Sequence, residues 1–248
     1  MKVYLNNINV WLQGLDDTAS LVLWANKKLN LPEEYTPPKP QYYPKGQLRR
    51  LSPFSKVILN SLDISQALTQ NLPLIFASQH GDLAKTVNLI KDTALNEDLS
   101  PTQFALSVHN ATTGLFSITT DNTAPTTTIS AGKNTFVEGL VEAFMQCQQE
   151  KKSVIYSYCD FDVPQEYYQF EERQPARCIS MILSHTSDGK SDDLATIDFV
   201  LDNQKTHCAE QPPSDLSLQF IRKFYLQSDE VMRSKSYSLC LGFNECRR

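Results

Sequence analysis

FALSVHNATTGLFSI at residues 104–118 and TTTISAGKNTFVEGLVEAFMQCQQE at residues 126–150 decide the fold of this chain. The first stretch is apolar and of helical character around His109, Asn110 and Gly114. In the second, the β-branched run Thr126–Ser130 predicts a strand and Ala131-Gly132-Lys133-Asn134 a sharp turn. An amphipathic helix follows, since Phe136, Leu140, Ala143, Phe144 and Cys147 recur on one face. A strand that feeds a tight turn at a helix N-terminus is where many enzymes hold a nucleophile, because exposed N–H groups and the helix dipole favour negative charge. Here the turn carries Lys133, with neither cysteine nor serine at the nucleophile's place.

Outward from this block, the pattern is that of alternating strands and helices. Val3–Trp11 reads as a first strand with Val3, Leu5 and Val10 among its apolar positions, and Asp17 as the cap of a short helix through Leu21, Val22 and Trp24. Five prolines between residues 32 and 46 predict an extended surface loop. Ser52-Pro53 and Ser100-Pro101 are N-cap and first-turn pairs, the former opening a helix that turns Phe54, Ile58, Leu62 and Leu68 inward. Leu72–Ala77 reads as a buried strand, ending in the turn Ser78–Asp82 before a helix with Leu83, Val87 and Ile90 on one face. Ser153–Cys159, Arg177–Ser184 and Leu194–Leu201 are further strands, and the polar link Thr186–Asp193 predicts an antiparallel hairpin of the last two. A final helix from Ser214 to about Leu226 buries Leu216, Phe220 and Phe224; the tail beyond it is not assigned.

The chain has 248 residues, 41% of them hydrophobic, enough for a substantial core. A net charge of −5 gives no electrostatic support for nucleic-acid binding. The six cysteines (147, 159, 178, 208, 240 and 246) include no CxxC pair. No metal motif, GxGxxG or P-loop occurs, so neither a metal nor a nucleotide cofactor is expected. No apolar run is long enough to span a membrane, and the first residues lack a signal-peptide core, so a reduced cytoplasmic setting is expected.

Four stretches resemble the N-terminal half of the β-ketoacyl synthases, condensing enzymes of the thiolase fold: Leu48–Pro53 (LRRLSP), Phe76–Gly81 (FASQHG), Ser100–Asn110 (SPTQFALSVHN) and Thr128–Gly132 (TISAG) with its helix. Within that family the chain looks most like the short ketosynthase-like chain length factors of aryl-polyene and related polyketide clusters. The resemblance implies an α/β fold: a truncated thiolase-like mixed sheet of five-stranded type with flanking helices over residues 1–165. Residues 166–248 would add a strand pair, a helix and a tail within the same ketosynthase-like domain. It places the acyl-accepting cysteine on Lys133, or on Gly132 if the turn differs by one residue. The family's two catalytic histidines belong to a second half that a chain ending at 248 does not reach, and His185 and His207 match neither histidine motif.

Condensation needs a thiolate that is acylated and then releases its acyl group, whereas a lysine would form a stable amide. Lys133 is therefore either a binder of carboxylates or an ion-paired or solvated residue of a site without catalysis. His109-Asn110 reads as packing rather than acid–base chemistry, the resemblance putting Asn110 on a buried helix. It also puts Phe104, Asn110, Thr112, Thr113, Gly114 and Phe116 along an acyl tunnel, although close helix packing explains these small residues as well. Thr126, Thr127, Thr128, Ile129 and Ser130 become the dimer contact. His80-Gly81 reads as a strand-to-helix turn, His185 and His207 as exposed, and Arg49-Arg50 as plain surface or a contact for an acidic carrier protein.

The function so implied is a non-catalytic subunit that heterodimerises with an active β-ketoacyl synthase. It would help shape the synthase's tunnel, with acyl carrier protein engaged through the partner, in polyketide, aryl-polyene or fatty-acid-type synthesis. One alternative is an independent acyltransferase or thioesterase using Cys147 or Cys159, although Cys147 lies on the inward helix face. Another is a homodimeric protein that captures acyl chains.

Overall fold

The computed structural model describes residues 1–187, 194–201, 215–234 and 236–243. Its elements are β1 (Lys2–Leu12), α1 (Thr18–Ala25), α2 (Lys45–Leu48), α3 (Pro53–Ser61), α4 (Ser65–Thr69), β2 (Leu74–Ala77), α5 (Leu83–Ala94), α6 (Pro101–Ala105), α7 (Ala111–Thr120), β3 (Thr126–Ile129), α8 (Thr135–Glu150), β4 (Val154–Asp160), β5 (Arg177–Ser184), β6 (Ala195–Leu201), α9 (Leu216–Leu226), β7 (Met232–Arg233) and β8 (Tyr237–Gly242).

One mixed sheet of eight strands runs in the order β3-β2-β4-β5-β1-β6-β8-β7. The strands β3, β2 and β4 are parallel to one another, and every later pairing is antiparallel. The strands β4 and β5 are buried at every position, as expected of strands covered on both faces. One core joins the sheet to α1, α8 and α9 through Phe136, Leu140, Ala143, Cys147 and Phe220. The other joins it to α3, α4 and α7 through Phe54, Ile58, Leu62 and Phe116. Serines cap α3 and α6, with Ser52 Oγ accepting from the Ser55 N–H at 3.1 Å, and Asp17 caps α1.

Several expectations are corrected. The mixed sheet takes in the expected strand β6 and runs on through β8 and β7 of the unassigned tail, to eight strands. The strands β5 and β6 form no hairpin: β1 lies between them and is antiparallel to both, so they run parallel. Ser184 pairs with Tyr4 and Ala195 with Leu5, so β6 starts where β5 stops. The link therefore only steps across β1, two strand spacings of about 4.8 Å, and its residues 188–193 lie outside the described residues. In α5, Val87 is buried but Ile90 is 56% exposed. The face of α5 that packs carries Lys85, whose ammonium donates to the Leu106 carbonyl at 3.3 Å and pairs with Asp82 at 3.6 Å. Leu68 belongs to α4 rather than α3. In the tail, Tyr237, Leu239 and Leu241 alternate inward to form β8. Ser214, His207, Cys208 and Cys246 lie outside the described residues.

Candidate functional site

The turn from β3 into α8 lies at the carboxyl end of the parallel strands, the side on which open α/β sheets bind ligands. Gly132 takes φ +57°, a left-handed conformation that glycine adopts without strain. The Thr135 hydroxyl then ties the turn, donating to the Gly132 carbonyl at 2.7 Å and accepting the Ala131 N–H at 2.9 Å. Gly132, Lys133 and Asn134 form a single 3₁₀ turn before the helix. Lys133 is exposed and makes no ion pair among the described residues. The positive end of α8 gives its ammonium nothing to bind and leaves it in water. Ser130, before the turn, donates its hydroxyl to the Gln79 carbonyl at 2.8 Å.

Beneath the turn, a buried polar cluster joins β2, β4 and β5. Ser78 donates to Asp160 Oδ1 at 2.8 Å, and the same oxygen accepts the Gln79 N–H at 2.9 Å. The Gly81 N–H in turn donates to Ser78 Oγ at 2.9 Å. Burial raises the pKa of Asp160, against the opposing pull of Arg177, Tyr158, Ser78 and the Gln79 amide. Its second oxygen forms no hydrogen bond of standard geometry among the described residues, although the Tyr158 hydroxyl and Arg177 are its polar neighbours. Arg177, 2% exposed, donates to Tyr158, Pro175, Ser217 and Asp215, and Asp215 caps α9. This cluster ties the ends of β2, β4 and β5 to the start of α9, with Ser78, Asp160 and Arg177 buried.

His109 faces the cluster from the other side. Its Nε2 lies 3.0 Å from the Ser78 carbonyl, which makes that nitrogen the protonated one. Burial lowers its pKa, with the Ser78 carbonyl and Asp160 pulling it back up. A Cβ added to Gly81 would come within 2.7 Å of His109 Cδ2, and Gly81 sits at φ +62°. The turn at His80-Gly81 is thus closed by the imidazole acting as packing, as its sequence context implies.

The six residues placed along a tunnel divide into two sets. Thr112, Thr113 and Phe116 are buried, with Thr112 Oγ1 2.9 Å from Ser55 Oγ and Phe116 inside the core under the sheet. Phe104, Asn110 and Gly114 are exposed, so Asn110 is not a buried residue of this chain as expected. It stands at the start of α7, where the helix turns its Thr112–Thr113 side inward. Of the contact residues, Thr126 and Ser130 are exposed and Thr127, Thr128 and Ile129 half-buried on the outermost strand. His185 is half-buried rather than exposed.

Neither candidate thiol is available. Cys147 is fully buried, donates to the Leu183 carbonyl at 3.3 Å, and has its pKa pushed up to about 12, chiefly by burial. Cys159 is fully buried beside Cys178, and burial raises it well above the ordinary thiol value. A thiol held neutral in the core is not a nucleophile. Among the described residues no group of three or more metal-ligating side chains occurs, and no helix is long and apolar enough to cross a membrane. The sequence alone did not single out Ser78, Asp160 and Arg177 as a unit. Their only signal was a lone charge at the end of one apolar strand and the start of the next.

No curated protein sequence matches the chain. Solved structures do. A chain of the ketosynthase (ApeO) in complex with its chain length factor (ApeC) from Xenorhabdus doucetiae superposes with a TM-score of 0.77 at 20% identity, covering 98% of this chain and 99% of that one. The ishigamide ketosynthase/chain length factor gives 0.64 at 12% identity over 92% of this chain and 74% of that one. AntDE:AntF, a type II acyl-carrier protein in complex with its ketosynthase, gives 0.57 at 14% over 80% and 68%. These likenesses establish the thiolase-like ketosynthase fold. The sequence profile described as "Beta-ketoacyl synthase, N-terminal domain" matches residues 22–238, and the chain accordingly belongs to that family.

Proposed function

We propose that the chain is a non-catalytic ketosynthase-like subunit, a chain length factor, which pairs with an active β-ketoacyl synthase and helps shape its acyl tunnel. The observation that carries this reading is Lys133: an exposed lysine occupies the turn at the helix N-terminus, and the candidate thiols Cys147 and Cys159 are sealed in the core. Pairing is supported by the open edge of β3, which lies at one end of the sheet and bonds only to β2 among the described strands. It is supported too by apolar side chains on the neighbouring segment. Ile90, Leu95, Leu99, Phe104, Val108 and Ile118 are each at least 40% exposed. The acyl carrier protein would deliver the growing chain to the partner, in polyketide synthesis of aryl-polyene or fatty-acid type.

The test is co-expression with the ketosynthase encoded beside it, followed by native mass spectrometry. A one-to-one complex with product formation unaffected by Lys133→Ala is expected. A chain that ignores that partner, or a large activity loss in Lys133→Ala with the complex intact, would overturn the proposal.

A further inference from the structure

Two cavities adjoin on the surface between the α2–α3 link and the segment α5–α6. One, of about 430 Å³, is walled by Leu51, Pro101, Ala105, Leu106 and Leu115, with Arg50 its only charged lining residue. The other, of about 440 Å³, is of mixed lining and carries the charged groups, with Arg49, Arg50, Lys85, Ser52 and Gln103 beside Leu51, Pro53 and Leu89. Each volume falls in the range of small-molecule sites. Arg50 and Leu51 line both, so an apolar trough and a cationic one meet at a single arginine. Arg49 and Arg50 are exposed and form no ion pair among the described residues. The acidic groups of this second cavity are Asp82, already paired with Lys85, and Asp92, nearly three helical turns further along α5.

We propose that this double cavity binds a single-tailed acyl anion, with the hydrocarbon along Leu51, Leu106 and Leu115 and the anionic head on Arg49 and Arg50. The apolar half offers burial in proportion to the hydrocarbon covered. The guanidinium forks take a carboxylate or a phosphate monoester in two parallel hydrogen bonds. A neutral lipid would leave the arginines unused, and a polar anion without a tail would leave the trough wet. Only a molecule with both parts matches the chemistry on both sides of Arg50. The site rests on the cavities of the isolated chain and does not depend on pairing with a ketosynthase.

The test titrates the isolated full chain with parinarate, a conjugated polyenoic carboxylate whose fluorescence rises in an apolar site. Displacement then follows with dodecanoate, dodecanol and S-dodecanoyl phosphopantetheine, all below their micellar concentrations. Saturable binding displaced by dodecanoate is expected, with dodecanol weaker. Arg50→Glu, at an exposed position, weakens dodecanoate about tenfold or more and leaves dodecanol within threefold. Ala105→Trp, also at an exposed position, fills the apolar trough and removes binding of both. Asp92→Asn strengthens the carboxylate. Displacement by the pantetheine thioester at lower concentration than by dodecanoate also supports the site. Absence of saturable binding, or binding unchanged in both Arg50→Glu and Ala105→Trp, overturns the proposal and leaves the pairing reading untouched.

Discussion

Two adjacent threonines on β3 give opposite expectations for the same substitution. The Leu74 N–H bonds to the Pro125 carbonyl and the Ser78 N–H to the Ile129 carbonyl, at 3.0 and 3.1 Å. In a parallel ladder alternate residues bond to the same neighbour, so Thr127 and Ile129 address β2. Thr126 and Thr128 point their N–H and C=O groups to the open edge. Proline at 128 removes an outward N–H, which edge strands tolerate, and leaves the β2 ladder whole. Were the edge paired with a ketosynthase strand, the partner's carbonyl would be stranded at a cost of about 1–3 kcal/mol, weakening the complex by about fivefold to about a hundredfold. Proline at 127 instead breaks the bond to β2. About 2 kcal/mol of fold stability goes with it, and Tm falls by about 4 °C or more. Thermal unfolding by circular dichroism and a calorimetric titration against the ketosynthase read the two effects apart. A Thr128→Pro chain that binds within threefold of the native one, or that unfolds as early as Thr127→Pro, refutes the edge assignment.

Four other outcomes are expected. Gly139→Ala places a methyl 2.6 Å from Tyr156 Cε2 and 2.8 Å from Ala77 Cβ, both on buried strands. The overpacking cost of about 1–3 kcal/mol exceeds the about 1 kcal/mol that alanine gains in a helix, and Tm drops in urea and thermal melts alike. Alkylation of the native chain, read by peptide mass spectrometry, leaves Cys147 and Cys159 unmodified until it unfolds. Arg177→Ala removes the buried guanidinium that holds Tyr158, Ser217 and Asp215 together, a loss of about 3 kcal/mol seen as a lower denaturant midpoint. Because burial holds the folded pKa of His109 below its unfolded value of about 6.5, the unfolded chain takes up a proton first as pH falls. Stability from this residue is thus full above about pH 6.5 and declines below it, a slope that His109→Gln should remove from Tm measured between pH 7.5 and 5.5. The raised pKa of Asp160 acts with the opposite sign at lower pH.

The β3–turn–α8 block was legible because each part follows a local rule: β-branched residues for the strand, glycine at the positive φ, a 3.6-residue apolar period in the helix. The inward face of α8 follows the period, with Phe136, Leu140, Ala143 and Cys147 buried and Phe144 half-buried against the same core. What escaped the sequence depends on partners far away in the chain. A polar link between two strands looks the same whether it closes a hairpin or steps over β1, and only the pairing of residues 2–5 with β6 decides between them. Ile90 follows the same period as Val87 but faces out, since the contact that sets the rotation of α5 is Lys85 on the Leu106 carbonyl. Asp160 looks like the end of an apolar strand until Ser78 and Arg177, 82 residues before it in one case, are brought against it.

Nothing in the turn's geometry depends on what residue 133 is. Its side chain is exposed, and the backbone is held by the positive φ of Gly132 and by Thr135, whose hydroxyl bonds on both sides. An exposed side chain there can change at little cost to the fold, so the identity of residue 133 and the persistence of the turn are physically independent. The turn has a second employment, since it ends β3 and starts the helix that packs that strand onto the sheet, with Gln146 donating to the Thr127 hydroxyl at 3.0 Å. The proposed pairing through the edge of β3 would use all of this and no thiol. On the proposed reading, the turn is kept for the edge it holds and not for the residue it carries.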